Sequence, residues 1–239
     1  MARRRPPVRL GCLLVVGTAL LALVPAAAAQ SVNRAAIDGL NRQLLYVALP
    51  LTLFVELTLV YAIYRFHDND DPEPTVDDPA LETTWTAATA VILVFVGVSA
   101  YFVMGNPYVT PAAAGSADAT APDQADDLTV EVVAYQWGWQ FTYPEANVTT
   151  RDELVVPVDR DVRLRMTSRD VIHSLFVPKL GVKQDVFPTQ ETVARTRATE
   201  TGEYTLYCTE LCGSGHSRMD GTVRVVNGSD YEEWLAARE

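Results

Sequence analysis

The stretch Tyr207-Cys208-Thr209-Glu210-Leu211-Cys212-Gly213-Ser214-Gly215-His216-Ser217-Arg218-Met219 holds two thiols, an imidazole and a thioether in one short loop. These are soft or borderline metal ligands, and thiol and thioether favour copper over calcium or magnesium. Cys208 and Cys212 are four apart, His216 follows four later and Met219 three after that. Gly213 and Gly215 let the chain fold back so that these side chains converge. The loop sits between Glu203–Cys208 and Thr222–Val226, two runs that read as strands. A loop of this kind needs a β frame to hold it and a further ligand from elsewhere in the chain.

The surrounding sequence offers both. Besides the two flanking runs, Leu128–Ala134, Leu154–Val158, Val162–Met166, Val171–Val177 and Thr192–Ala198 all read as strands. Val162, Leu164 and Met166 alternate with Arg163 and Arg165, which predicts one buried and one wet face. Several short strands separated by Gly and Pro turns predict a small β-sandwich. Ser229-Asp230-Tyr231-Glu232 reads as a capping box opening a short terminal helix. The missing ligand is His173, flanked by apolar residues on a strand of its own. Three other readings stand beside a copper site. Cys208 and Cys212 form a disulfide, or they join a structural zinc site that leaves Met219 idle, or His173 is a satisfied core histidine. Cys208, Cys212, His173, His216 and Met219 together favour copper.

The first half of the chain is of a different kind. Met1–Ala29 has a basic start, an apolar middle from Leu10 to Leu23 and the small residues Ala27-Ala28-Ala29, the pattern of a secretory signal. Leu44–Tyr64 and about Thr84–Met104 are each apolar and long enough to span a bilayer. The acidic, proline-containing stretch Arg65–Leu81 joins them. The expected organisation is therefore a signal over 1–29, a transmembrane hairpin over 30–106 with helices at about 44–64 and 84–104, a linker over 107–127 and a β domain over 128–239. A basic start that stays inside and the crossings that follow put the β domain outside the cytoplasm, on a multi-pass protein of the plasma membrane. Glu56 falls inside the first helix, where a carboxylate is costly and is expected to be neutral or to face a partner subunit.

With 19 Lys and Arg against 30 Asp and Glu, the net charge is −11, which argues against a nucleic-acid partner. Only Lys179 and Lys183 represent lysine. Abundant carboxylates with so little lysine suit solubility in strong salt, and a halophilic source is the expectation.

The run Val171-x-His173 … Cys208-x-Glu210-x-Cys212-x-x-x-His216-x-x-Met219 resembles the CuA signature of cytochrome c oxidase subunit II, and the resemblance extends over both membrane helices and the β domain. It implies a cupredoxin-like Greek-key sandwich carrying a binuclear copper A centre. Cys208 and Cys212 would bridge both coppers, His173 and His216 would be terminal ligands, and Met219 with the backbone carbonyl of Glu210 would be weak axial ligands. The Glu210 carboxylate would hold magnesium or manganese at the boundary with subunit I. Trp137, in Tyr135-Gln136-Trp137-Gly138-Trp139, matches the tryptophan through which electrons arrive. Gly138 stands where many members carry an aromatic residue. Asp185, in the loop Gly181–Pro188, matches a donor-docking position; a solvated loop carboxylate is the equal alternative. Glu82 resembles the glutamate at the mouth of a proton channel; a favourable charge at a helix start is the equal alternative.

The function so implied is subunit II of a haem-copper terminal oxidase. It would accept electrons from cytochrome c or a blue-copper donor and pass them to haem in subunit I, with subunit III as a further partner. A CuA subunit of a haem-copper nitric oxide reductase is the alternative; a metal-free structural subunit like that of quinol oxidases is disfavoured by the retained ligands.

Overall fold

The computed structural model describes residues 29–110 and 127–238. The proposed signal, apart from Ala29, and most of the linker lie outside the described residues. The chain divides into two compact units, one containing Leu40–Ala100 and the other joining residues 29–39 to Tyr101–Glu239.

The first unit is built on the greater part of helices α1 (Val32–Phe66) and α2 (Pro79–Met104), the start of α1 and the end of α2 belonging to the second. Both are long and apolar enough to cross a membrane, and their large apolar side chains are mostly exposed. At about 1.5 Å per residue α2 alone reaches ~39 Å, more than a hydrocarbon core of about 30 Å requires. Both helices start earlier than the apolar runs do. Asp78 Oδ1 accepts the N–H groups of Ala80 and Leu81 at 3.0 and 3.1 Å, and Pro79 fills the first helical position, where a missing N–H costs nothing. Helix α2 therefore begins five residues ahead of Thr84, with Glu82 in its first turn. Ser31 does the same for α1, its hydroxyl accepting the Arg34 N–H at 3.0 Å. The polar residues from Asn33 to Arg42 continue as helix, aided by the Arg34–Asp38 pair at 3.0 Å.

The second unit is the sandwich. Its ten described strands are β1 (Leu128–Tyr135), β2 (Gly138–Tyr143), β3 (Val148–Arg151), β4 (Glu153–Pro157), β5 (Val162–Ser168), β6 (His173–Val177), β7 (Val182–Val186), β8 (Thr192–Thr196), β9 (Gly202–Cys208) and β10 (Asp220–Val226). One sheet runs β3-β2-β1-β5-β8 and the other β4-β10-β9-β6-β7. The pairs β1–β5 and β4–β10 are parallel, and the remaining pairs are antiparallel. This is a cupredoxin-like Greek-key sandwich. The alternation in β5 holds: Val162, Leu164 and Met166 are buried between the sheets, and Arg163 and Arg165 lie on the wetter face.

Three strands escape the sequence reading. β2 alternates as well as any, with Trp139, Phe141 and Tyr143 buried, but its start is masked by the aromatic cluster. That cluster is the turn of the β1–β2 hairpin, with Tyr135 paired to Gly138. β3 is a four-residue edge strand rich in polar side chains. β7 falls in the stretch read as a loop; it is an edge strand with exposed Lys183 and Asp185. The capping box is not formed. Helix α3 (Gly228–Ala236) starts two residues earlier, with Asn227 at its N-cap and no side-chain cap bond. The Ser229 hydroxyl instead donates to Asp230 Oδ1 at 3.3 Å. α3 is held by its apolar side: buried Tyr231 and Trp234 pack on Tyr143, with Trp234 at 5.1 Å between ring centroids.

Ser31 and the first turn of α1 extend the sandwich edge. Ser31 bridges Ala198, and the Val32 N–H donates to the Arg197 carbonyl at 3.0 Å. Asn33, nearly fully buried, donates its amide to the carbonyls of Tyr108 and Arg195. Asp161 accepts from Tyr108 and Arg197, and Arg195 pairs with both Asp161 and Asp127.

Candidate metal centre

Strand pairing assembles the centre. β6 and β9 are antiparallel neighbours, with Leu175 opposite Cys208 and Phe176 opposite Tyr207. This register brings His173, at the start of β6, beside Cys208, at the end of β9, although they are 35 residues apart. The metal loop leaves β9 and returns to β10. Its ends are tied by the Cys208 N–H, which donates to the Met219 carbonyl at 3.0 Å. Thr209 N–H donates across to the Ser174 carbonyl at 3.0 Å, fixing the loop to β6. A 3-10 turn over His216–Arg218 carries His216 back over the cysteines.

The donor atoms form a connected set. Cys208 Sγ and Cys212 Sγ lie 3.8 Å apart, both as free thiols. His173 Nδ1 is 3.1 Å from Met219 Sδ and 3.9 Å from Cys208 Sγ. His216 Nδ1 is 3.6 Å from Cys212 Sγ, and the Glu210 carbonyl oxygen is 3.2 Å from Cys208 Sγ. Met219 Sδ is also 3.6 Å from Cys212 Sγ. Ligands bonded at about 2.0–2.3 Å to a common metal in tetrahedral geometry stand ~3.3–3.8 Å from each other. The spacings therefore suit metal binding without a large rearrangement. His173, Cys208 and Cys212 form a single cluster of donors within 4.8 Å, and His216 reaches it through Cys212.

The electrostatics favour a cation. His173 is fully buried, and Cys208, Cys212 and Met219 are at most 5% exposed. Burial pushes the Cys212 thiol up to about 11, and the neighbouring Cys208 adds to the shift. Two thiolates in such a place require a positive partner. The donor set therefore fits copper bound by two thiolates, two imidazoles, a thioether and a carbonyl.

Two family models match this chain. "Cytochrome C oxidase subunit II, periplasmic domain" covers residues 146–226, and "Cytochrome C oxidase subunit II, transmembrane domain" covers residues 19–103. The chain belongs to the cytochrome c oxidase subunit II family. Cytochrome c oxidase subunit 2 of Cereibacter sphaeroides is 32% identical over 239 residues, covering 83% of this chain and 75% of that one. The Synechocystis subunit 2 is 31% identical over 253 residues, covering 90% and 75%. Among solved structures, the periplasmic domain of subunit II from Bradyrhizobium japonicum is 30% identical, with a TM-score of 0.45, covering 46% of this chain and 92% of that one. As a subunit II, this is a membrane protein with two spanning-length helices and a C-terminal domain of the periplasmic type.

Around the donors of this subunit II, two residues the sequence reading passed over hold the geometry. Asp170 Oδ1 lies 2.8 Å from His173 Nε2. With a carboxylate there, the proton sits on Nε2 and Nδ1 presents its lone pair to the sulfurs. Burial would raise the Asp170 carboxyl, but the hydrogen bonds from His173 and from the Gln136 and Val171 N–H groups hold it below the usual range. Gln136 donates its side-chain amide to the Cys212 carbonyl at 2.6 Å. A carboxylate three residues before His173 is the one signal in sequence for Asp170; nothing local marks Gln136. The edge of Trp139 meets the His173 ring at 6.2 Å between centroids.

The other predicted residues lie in different settings. Trp137 is 42% exposed and donates its indole N–H to the Cys212 carbonyl at 3.2 Å. Glu210 lies on the exposed side of the metal loop, next to Leu211, which is also exposed. Asp185 is exposed on β7. Glu82 is exposed in the first turn of α2, in the other unit.

Proposed function

We propose that this chain is the electron-transfer subunit II of a haem-copper terminal oxidase, holding a binuclear copper A centre between Cys208 and Cys212. The observation that carries this reading is the converging donor set, with two buried thiols 3.8 Å apart and an imidazole Nδ1 turned to each side of them. Copper bound there supplies a one-electron carrier whose charge is shared over two ions.

The chain's own residues make that carrier usable. Cys208 and Cys212 would hold the copper between them, with His173 and Met219 as ligands from one side and His216 and the Glu210 carbonyl from the other. Burial excludes water, and the β6–β9–β10 frame keeps the ligands in place whether or not an electron is present, so little rearranges on transfer. Trp137, half exposed and bonded to the Cys212 carbonyl, is the surface at which the donor, a c-type cytochrome or a blue-copper protein, delivers its electron. The Glu210 carboxylate completes a magnesium or manganese site with ligands from subunit I, which holds the haem. Glu82 stands at the mouth of a proton path into that subunit. The copper domain lies outside the plasma membrane.

The test is the electron paramagnetic resonance spectrum of the copper-loaded protein, with turnover of the purified complex. A signal shared over two coppers and oxygen consumption are expected. A single-copper signal, or none, would sink the copper assignment; turnover of nitric oxide in place of oxygen would reassign the complex to the nitric oxide reductases.

A further inference from the structure

The two glycines of the metal loop each face a specific side chain from the β1–β2 turn. Gly215 has φ −93° and ψ 3°, a turn conformation that residues carrying a side chain also adopt. A Cβ there would nevertheless stand 2.3 Å from Trp137 Cδ2 and 2.6 Å from Cγ. The indole occupies the space where a side chain would otherwise be. Gly213, at φ +114°, needs glycine for its backbone, and a Cβ on it would also stand 2.9 Å from the Gln136 amide nitrogen. Gln136 is tethered at both ends. Its side-chain amide donates to the Cys212 carbonyl at 2.6 Å, and its backbone N–H donates to Asp170 Oδ2 at 2.7 Å. The Cys212 carbonyl thus accepts two hydrogen bonds, one from Gln136 and one from the Trp137 indole at 3.2 Å.

We propose that Gly215 and Gln136 are positioning residues that seat the Trp137 indole against the metal loop, and so set the contact through which electrons reach the Cys212 backbone. This rests on the reading of Trp137 as the point of electron arrival. Neither residue ligates metal. Gly215 acts by leaving the space the ring occupies. Gln136 acts by fastening the turn that carries the ring to the segments holding Cys212 and His173. Glycine at 215 is therefore required by the ring and not by the turn, since the backbone there is ordinary.

The test uses the complete, copper-loaded complex carrying Gly215→Ala, Gln136→Ala, Trp137→Phe and the Gly215→Ala/Trp137→Phe pair. Three quantities are measured: the copper resonance signal, the indole emission obtained by difference from Trp137→Phe, and the rate at which photo-excited tris-bipyridyl ruthenium reduces the centre. In Gly215→Ala the copper signal persists, the Trp137 emission shifts to the red, and reduction slows by at least about tenfold, because overlap with a rigid ring cannot be relieved in place. In Gln136→Ala it slows by about fivefold, the population change expected for one lost hydrogen bond. In the Trp137→Phe background Gly215→Ala has little further effect. Unchanged indole emission in Gly215→Ala overturns the proposal, as does loss of the copper signal in both single variants, which would make them supports of the ligands. If Trp137→Phe alone leaves reduction unchanged, the assignment of electron arrival to Trp137 fails, while the emission data still decide whether the ring is seated as proposed.

Discussion

His173 and Asp170 meet at 2.8 Å through Nε2, while Nδ1 of the same ring stands 3.1 Å from Met219 Sδ and 3.9 Å from Cys208 Sγ. One carboxylate thus decides which nitrogen is offered to a metal. Asp170→Ala frees the ring to exchange tautomers and to rotate. Loss of such an outer partner is expected to weaken copper binding by about 10–100-fold, while the two-copper resonance survives at saturating metal. Competition with a chelator measures this, and an unchanged affinity would show that β6 alone orients the ring.

Met219 is 1% exposed, so its role in the core must be separated from its role as a ligand. Met219→Leu keeps the volume and is expected to cost less than about 1.5 kcal/mol of stability. It should perturb the copper spectrum without abolishing it, whereas Cys208→Ser should abolish the shared signal. Thermal unfolding and the spectrum, taken on the same samples, test both statements. A shared signal surviving in Cys208→Ser would remove that thiolate from the bridge.

Burial holds the Cys212 thiol protonated up to about 11. Metal must displace that proton, so copper uptake at neutral pH releases acid and the apparent affinity climbs with pH until the thiol would ionise unaided. Titration in weakly buffered solution reads the released protons directly. Uptake without proton release between pH 6 and 8 would contradict the protonated thiol.

Asp161 anchors the sandwich edge near Tyr108. Burial by itself would raise its carboxyl, but hydrogen bonds from Arg197 and Tyr108, with Arg195 alongside, hold it below the usual value. Its folded pKa is lower than its unfolded one of about 3.9. The stability it contributes is therefore complete above that unfolded value and is lost as the pH falls through the folded one. Asp161→Asn should lower stability at pH 7 and flatten the acid limb of the unfolding curve below about pH 4. Urea midpoints measured from pH 7 to 2 check this; parallel curves for the two proteins would rule out the contribution.

Much of this was legible in the chain because it is written at short range. The apolar runs Leu44–Tyr64 and Thr84–Met104 lie inside helices α1 and α2, and alternation in stretches such as Val162–Met166 marks strands, since burial on one face repeats with the period of the backbone. Cys208, Cys212, His216 and Met219 share one loop, so their spacing alone pointed to a metal. The earlier helix starts depend on single capping side chains, Ser31 and Asp78. The edge strands β3 and β7 were hidden because they bury only one and two side chains, whereas the edge strands β4 and β8 bury more and show their pattern.

What the sequence by itself determined is the pair of membrane-length helices, the sandwich and the donor types. Only the tertiary structure decided which atoms meet. Register between β6 and β9 sets the distance from His173 to Cys208. The β1–β2 turn reaches the metal loop to put Gln136, 76 residues away, on the Cys212 carbonyl. Asp170 fixes the imidazole from outside the donor set. The glycines at 213 and 215 looked like aids to folding a loop back; at 215 the backbone is ordinary, and the space belongs to the Trp137 ring. Such contacts join residues far apart in the chain, and no local periodicity encodes them.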